Sequence, residues 1–577
     1  MWAGRMILAA FCVVAFGSVT MAGRKAQRET TNTVTTTDGT GNLSKQRRDE
    51  LVKKLGAIRS FLETSTDTNA VRLLQFAAEL EKEVRTKKYG LVFEEHKERV
   101  DVELEHNLPV LTENKKRFID NGGEVNFLIE GDNLAALKLL EKTHRGKIDL
   151  IYIDPPYNTG NKDFVYNDQY VDTNDTFRHS KWLSFMQKRL EIAKRLMTSS
   201  AIMFISIDDN EQAPLKMLCD DIWGPGNFVG TIAWESKTKC QNTKTARRQL
   251  QRKWEYVLVY KNRAGRYEFN LEESGRHEYD KRDEKGPYRE KVIEEMSASG
   301  MRGRETMIFP ILGKMPRKGF QWKYGEDTLE EFDRRGDLEL IDGRPSLRIR
   351  PDDETALCKP FWSFLDKSYG TGESANSELK KIIGPNEFET VKPHQLISYL
   401  IGRVCDADHE GIVLDFFAGS GTTGHAVMNL NAKDGGKRKF ILVTNNENGI
   451  CEKVTYERLK RVIAKEGYAA RLKYYKIDYV PIDEKVYYEY ANELLKHTQE
   501  LVELENAVDF SKDKTVAIVL TDKEAAQFAA DEKRMAKCKA VYVGHDVLMR
   551  SEDKKAIKRR GIEIKIIPQY YYPELEG

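Results

Sequence analysis

Residues 148–157 read Ile-Asp-Leu-Ile-Tyr-Ile-Asp-Pro-Pro-Tyr. Six residues rich in Ile, Leu and Tyr predict a strand buried on both faces, as in a parallel sheet. Two consecutive prolines cannot continue that strand. The chain must leave it in a stiff, extended form, which fixes the carboxylate of Asp154, the carbonyls of Pro155 and Pro156 and the ring of Tyr157 at the strand's carboxyl end. In an open parallel sheet, ligands bind at that edge. Alone, the tetrapeptide also fits a rigid turn that an acid happens to precede.

Working outward, short apolar strands alternate with amphipathic helices: FLIEGDNLAALKLLE (127–141) before, WLSFMQKRLEIAKRLM (182–197) and AIMFISIDD (201–209) after. The rhythm lapses from residue 235 to 347 into Arg/Lys-rich, Gly-containing sequence, then returns in HQLISYLIGRV (394–404), GIVLDFFAGSGTTGHAVMNL (411–430) and KFILVTNNEN (439–448). Such alternation implies crossovers and a parallel sheet covered on both faces. The expected architecture is therefore α/β, a doubly wound sheet in two parts (121–234 and 348–482) interrupted by an inserted module (235–347). A helical arm is expected over 45–120, from the spacing of Leu51, Leu55, Ile58 and Leu62 and of Val71, Leu74, Phe76 and Leu80. A small α/β unit is expected over 483–577.

The second chemical signal is Asp415-Phe416-Phe417-Ala418-Gly419-Ser420-Gly421-Thr422. An apolar strand ends at an acid, passes through closely spaced glycines and opens a helix, so a ligand can approach bare backbone. The turn lacks both the six-residue spacing of the dinucleotide fingerprint and the G-K-[ST] ending of a phosphate loop, which argues against dehydrogenases and NTPases.

Composition sets the outer limits. The 577 residues are 32% charged and 40% hydrophobic, with a formal net charge of +2, which excludes wholesale disorder and a polytopic membrane protein. Attraction to a polyanion must come from a local patch. Seven scattered cysteines, none spaced C-x-x-C, indicate neither a disulfide framework nor a zinc ribbon, and no metal site is expected. Residues 1–44 hold an apolar run from Met6 to Val19 shaped like a secretory signal, followed by a polar Ser/Thr-rich tail. The inferred chemistry needs intracellular partners, so the functional chain is read as starting near Met21 in the cytoplasm.

Taken together, Asp-Pro-Pro-Tyr and the D-x-F-x-G-S-G-T turn resemble the amino-methyltransferases of DNA. The order, with the proline motif first and the glycine turn far downstream, is similar to the beta group of that family, whose target-recognition region lies between them. FLIEGDNLAALKLLE, YIDPPYNTGNKDFVYND (152–168), SIDDNEQAPLKMLCDDIWGPGNFV (206–229) and NNENGICEKVTYERLKRVI (445–463) resemble modification subunits of type III restriction-modification systems. The resemblance covers about Asn126 to Ala469. It implies a Rossmann-like fold, S-adenosyl-L-methionine as cofactor, and transfer of its methyl group to the exocyclic N6 of an adenine flipped out of a specific duplex DNA sequence. It also implies catalysis by Asp154, Pro155, Pro156 and Tyr157. Cofactor binding is implied for Asp415, Phe416, Phe417, Ala418, Gly419, Ser420, Gly421 and Thr422 at the methionine end, Asp132 and Asn133 near the adenosine, and Lys392 beside the site. An acid after the next strand is expected at the ribose, and Glu447, displaced from the simplest pattern, is the candidate.

Residues 235–260 carry Lys237, Lys239, Lys244, Arg247, Arg248, Arg252 and Lys253 against two acids, a run suited to phosphates. The resemblance adds a homodimer and a separate helicase-nuclease restriction subunit as partners, since no nuclease or ATP-binding motif is found in this chain. The alternatives are cytosine-N4 methylation, for which Ser usually replaces Asp154, and a DNA-recognition subunit without activity of its own. Methylation of RNA or protein is a third reading. Attack on a cytosine ring carbon needs a Pro-Cys pair, which the sequence lacks.

Overall fold

The computed structural model describes residues 43–573 apart from 66, 68, 86–92, 161–164, 167–168, 171–174, 176, 240–246, 249, 264–266, 276, 301–302, 355–356, 387, 389, 409 and 483–486. The apolar run at 6–19 and Lys244 lie outside the described residues. Among the described residues no helix is long and apolar enough to cross a membrane.

The chain forms two units, divided between Tyr89 and Gly90. The first holds two helices, α1 (Leu43–Glu63) and α2 (Ala70–Arg85), linked by an Arg59–Glu81 ion pair at 3.1 Å. The second begins with helix α3 (Arg99–His106) and then turns to strand. Eleven strands of the described residues make one sheet. Ten of them form a continuous path: β1 (Asn107–Glu113), β2 (Glu124–Glu130), β3 (Ile148–Ile153), β4 (Met197–Ile207), β5 (Phe228–Trp234), β6 (Glu255–Lys261), β7 (Phe364–Leu365), β8 (Ile412–Asp415), β9 (Lys439–Thr444) and β10 (Ala470–Pro481). Their order is β1-β10-β2-β9-β8-β3-β4-β6-β5-β7.

From β10 to β4 the six central strands are parallel, whereas β6 runs antiparallel to β4 and β5, and β1 antiparallel to β10. The helices crossing between strands are α4 (Asn133–His144), α5 (Arg178–Leu196), α6 (Gln212–Trp223), α7 (His394–Gly402), α8 (Thr422–Asp434) and α9 (Tyr456–Glu466). Successive side chains of β3 divide between two cores: Ile151 and Ile153 pack with Leu137 of α4 and Trp182 of α5, and Leu150 and Tyr152 with Leu400 of α7 and Val427 of α8. This alternation, with both faces apolar, is why the strand reads as a continuous hydrophobic run.

Three expected boundaries are corrected, among them the insert's end at 347, since Ile349 and Leu357–Lys359 still pair with strands of the module. The helical arm does not continue to residue 120, because Asn107–Glu113 pairs along its length with β10. Pro109 lies in that stretch, where it interrupts a helix but is tolerated in an edge strand. The insert does not begin at 235, since Glu255–Lys261 returns to the main sheet between β4 and β5. The intervening module from about 267 to 359 has its own small core of Ile293, Ile311, Trp322, Leu329, Phe332, Leu347 and Ile349, beside a four-stranded sheet. After β10, helices α10 (Tyr487–Leu495) and α11 (Thr498–Asn506) and a three-stranded parallel sheet complete the chain. Leu494, Leu501, Tyr542 and Tyr571 belong to the same core as α4 and α5, so this segment is packed against the main sheet.

Candidate functional site

Strand β8 leads through α8 to β9 on one side, while β3 leads through α5 to β4 on the other, so the winding reverses between β8 and β3. At such a reversal the two following helices diverge and leave a crevice at the carboxyl ends of the strands. Asp415 is the last residue of β8, and Asp154 directly follows β3; the two strands pair in parallel, Leu414 opposite Ile151. The two sequence signals thus meet at one sheet edge.

Around Asp154 the charges are tightly arranged. The buried Lys392 ammonium donates to Asp154 Oδ1 at 2.9 Å and Oδ2 at 2.8 Å, and lies 3.4 Å from Glu255 Oε2. The Tyr157 hydroxyl reaches the same two acids, Asp154 Oδ1 at 2.9 Å and Glu255 Oε2 at 3.1 Å. Burial opposes the charge on Lys392, yet Asp154 and Glu255 outweigh it and hold its pKa above the ordinary lysine value. Burial likewise pushes Glu255 upward, but the Lys392 charge holds it below the usual carboxylate range. Burial and the two acids push the Tyr157 hydroxyl well up, so it remains a neutral donor. The proline corner is held from outside by Trp182, whose Nε1–H donates to the Pro156 carbonyl at 2.7 Å. It is closed by Asn158, at φ 55, whose amide donates to buried Glu211 at 2.6 Å.

The glycine turn is equally constrained. Gly419 and Gly421 have φ of 47 and 75, and a Cβ on them would sit 3.1 Å from Phe388 and 3.1 Å from Thr455 respectively. Buried Arg458 donates to Thr422 Oγ1 at 2.8 Å and to Ser420 Oγ at 3.2 Å. Asp415 is buried, accepting from Thr423 Oγ1 at 2.5 Å and the Phe417 amide at 3.0 Å; burial dominates and raises its pKa to about 7. Phe416 is buried, and Ala418 donates through its amide to Val443 at 3.0 Å.

Asp132 caps α4, accepting from the Leu134 amide at 2.7 Å, and Asn133 donates to the Phe416 carbonyl at 3.0 Å, which joins this segment to the turn. Buried Arg189 fixes Asn133 at 2.5 Å while paired with Glu98 at 2.9 Å. Lys392 is brought to Asp154 rather than bonded to the glycine turn. Glu447 is exposed in the first turn after β9, and its neighbour Asn446 bonds Glu130 at 3.3 Å.

The basic run lies in the loop between β5 and β6. Because β5 runs parallel to β3, this loop leaves the sheet at the edge that carries Asp154. Lys239, Arg247 and Arg248 are exposed and Lys237 half-buried, whereas Arg252 pairs with Asp208 at 2.6 Å and Lys253 with Glu235 at 2.9 Å. Two of the expected phosphate contacts are therefore engaged within the protein.

Sequence reasoning missed Glu255, which sits opposite Trp234 in the β5–β6 register. An acid opening an apolar strand carries no motif; only the return of that strand to the sheet exposes its place.

A family model described as DNA methylase matches residues 148–457. The chain belongs to the DNA methylase family. The match opens on β3 and closes in α9, spanning both halves of the crevice. Among curated proteins of this kind, the chain is 34% identical over 411 residues to the type III restriction-modification enzyme StyLTI Mod subunit of Salmonella typhimurium, covering 63% of this chain and 59% of that protein. It is 34% identical to the type II methyltransferase M.KpnI of Klebsiella pneumoniae, over 55% of this chain and 79% of that one. Against the type III EcoPI Mod subunit of Escherichia phage P1 the identity is 31%, over 57% and 58%. The chain spans less than two thirds of the length of either Mod subunit.

Proposed function

We propose that this DNA methylase transfers a methyl group from S-adenosylmethionine to the N6 amine of an adenine flipped out of duplex DNA, as a modification enzyme of the type III kind. The observation that carries the reading is the pairing of β8 with β3, which sets a buried acid and glycine bend beside the proline-held Asp154 at the reversal of the winding.

The residues at the bend fit the cofactor. Asp415 is a buried carboxylate suited to a cationic amino-acid group, and the glycine positions leave room that a Cβ would close. Bound there, S-adenosylmethionine supplies an electrophilic methyl. On the other side of the crevice, the adenine amine is a poor nucleophile because its lone pair is delocalised into the ring. Asp154 and the Pro155 carbonyl accept its hydrogens and let the nitrogen pyramidalise, and the Tyr157 ring stacks on the base. No acid of raised pKa is needed, since the alkylated amine is itself acidic and loses its proton afterwards. Catalysis is then positioning and fixed electrostatics. Extruding the base costs a few kcal/mol, offset by stacking and hydrogen bonds in the pocket.

Asp154, where cytosine-directed relatives usually carry Ser, favours adenine. Duplex DNA enters along the β5–β6 loop, with Lys237, Lys239, Arg247 and Arg248 toward phosphates. A second copy of the chain and a separate helicase-nuclease subunit are the proposed partners, in the cytoplasm. Purified protein with labelled cofactor should methylate an adenine-containing duplex, and Asp154→Ala should reduce transfer at least about a hundredfold. No transfer by the wild-type chain to any adenine duplex would overturn the reading. Methylation-sensitive sequencing of DNA from expressing cells then gives base, motif and strand.

A further inference from the structure

The acceptor that the adenine amine needs is already engaged: both Asp154 oxygens take hydrogen bonds from Lys392, at 2.9 and 2.8 Å, and Oδ1 takes another from the Tyr157 hydroxyl at 2.9 Å. An ammonium and an exocyclic amine present the same N–H donors to a carboxylate. A second carboxylate stands within reach, Glu255 Oε2 at 3.4 Å from the same nitrogen. The backbone of Lys392 is held, since Val391 and Lys392 are buried and Pro393 caps α7, so freedom remains only in the side chain.

We propose that Lys392 is a placeholder for the adenine amine: its ammonium rests on Asp154 in the unloaded enzyme and shifts to Glu255 when the base enters. Glu255 is then a positioning residue for methyl transfer. The inference rests on the function proposed above. No proton moves in the exchange, and each carboxylate keeps a donor in both states: Asp154 from Lys392 and then from the amine, Glu255 from the Tyr157 hydroxyl and then from Lys392. Without Glu255, freeing Asp154 would strand a buried ammonium without a carboxylate partner, which disfavours the open arrangement. The competent fraction, and with it apparent affinity for DNA, would fall in proportion.

The test compares steady-state kinetics of wild type, Glu255→Gln, Glu255→Asp, Lys392→Met and the double variant Lys392→Met/Glu255→Gln, using labelled S-adenosylmethionine and unmethylated bacteriophage DNA. Glu255→Gln is expected to raise KM for DNA about tenfold with a smaller loss in kcat, and Glu255→Asp to stay within about threefold of wild type. The double variant, with no ammonium to relocate, is expected to recover to within about twofold of Lys392→Met. A double variant as impaired as Glu255→Gln, or a Glu255→Gln enzyme with unchanged KM, overturns the proposal. If the Lys392 variants fail to bind S-adenosylmethionine by calorimetry, Glu255→Asp against Glu255→Gln decides it, and equal KM values for those two overturn it. A wild-type chain that transfers no methyl overturns the proposed function itself, an outcome distinct from altered kinetics in the variants.

Discussion

At the scale of single residues, Asp415 carries the most consequential titration. Its carboxyl is buried and its pKa is raised to about 7, so a large fraction is protonated at neutral pH. The folded state binds this proton more tightly than the unfolded chain does, so the group's contribution to stability is greatest in acid and falls as pH rises toward about 7. A cationic ligand reverses the preference by favouring the ionised carboxylate. Binding of S-adenosylmethionine should therefore release close to one proton at about pH 6 and few at about pH 8, with affinity rising across that interval. Calorimetry in buffers of differing ionisation enthalpy reads the proton count, and Asp415→Asn should remove its pH dependence while weakening binding. An unchanged proton count in the variant would assign the titration to another group. Asp415 was legible in the sequence because an acid at the end of an apolar strand before glycines has a recognisable pattern. Glu255 and Arg189 were not, because each acts through partners remote in sequence, Lys392 for the first and Glu98 with Asn133 for the second.

At the scale of elements, the helix that follows the glycine turn shows how packing overrides propensity. Gly424 lies inside α8, where replacing glycine by alanine ordinarily gains about 1 kcal/mol. A Cβ there would meet Leu459 at 2.9 Å, Leu442 at 3.0 Å and Phe440 at 3.2 Å, all fully buried. Overpacking of that kind costs about 1–3 kcal/mol, so it outweighs the gain. Gly424→Ala is expected to lower the thermal midpoint and to weaken cofactor binding, as α8 is pushed away from β9 and the turn moves with it. A midpoint raised by the substitution would mean that Leu459 repacks freely. The same scale explains two of the misplaced boundaries, the end of the arm and the start of the insert. Parallel core strands, buried on both faces, announce themselves as apolar runs, and the central β2, β3, β8 and β9 were read directly. The edge strand β1 has only three buried positions in seven, and β6 follows a charged loop. Local composition there points to arm and insert, and only pairing with distant strands decides otherwise.

At the scale of the whole molecule, the C-terminal segment is bound to the sheet by charge as well as by apolar packing. Lys473 of β10 is buried and pairs with Glu503 of α11 at 2.7 Å and Glu113 of β1 at 3.2 Å, while the Tyr475 hydroxyl donates to Glu503 at 2.9 Å. Removing one member of a buried pair leaves the other uncompensated, at a cost of about 3–5 kcal/mol, whereas replacing both by apolar groups is often close to neutral. Here two further acids complicate the exchange, since Glu113 and Asp509, the latter at 3.7 Å, also lean on Lys473. Glu503→Ala should therefore be the milder lesion, because Lys473 keeps Glu113 and Asp509, and Lys473→Met the harsher, because it abandons three carboxylates. Chemical denaturation of the two variants should rank them in that order, each below wild type, and both should lose far less than a chain ended at residue 482. That truncation uncovers Tyr475 and Val480, both fully buried against the main core, and should be recovered only as aggregate. Should the shortened chain instead fold and bind S-adenosylmethionine, the last segment would be an appended unit, and the burial of Glu503 would belong to an interface between separately stable parts.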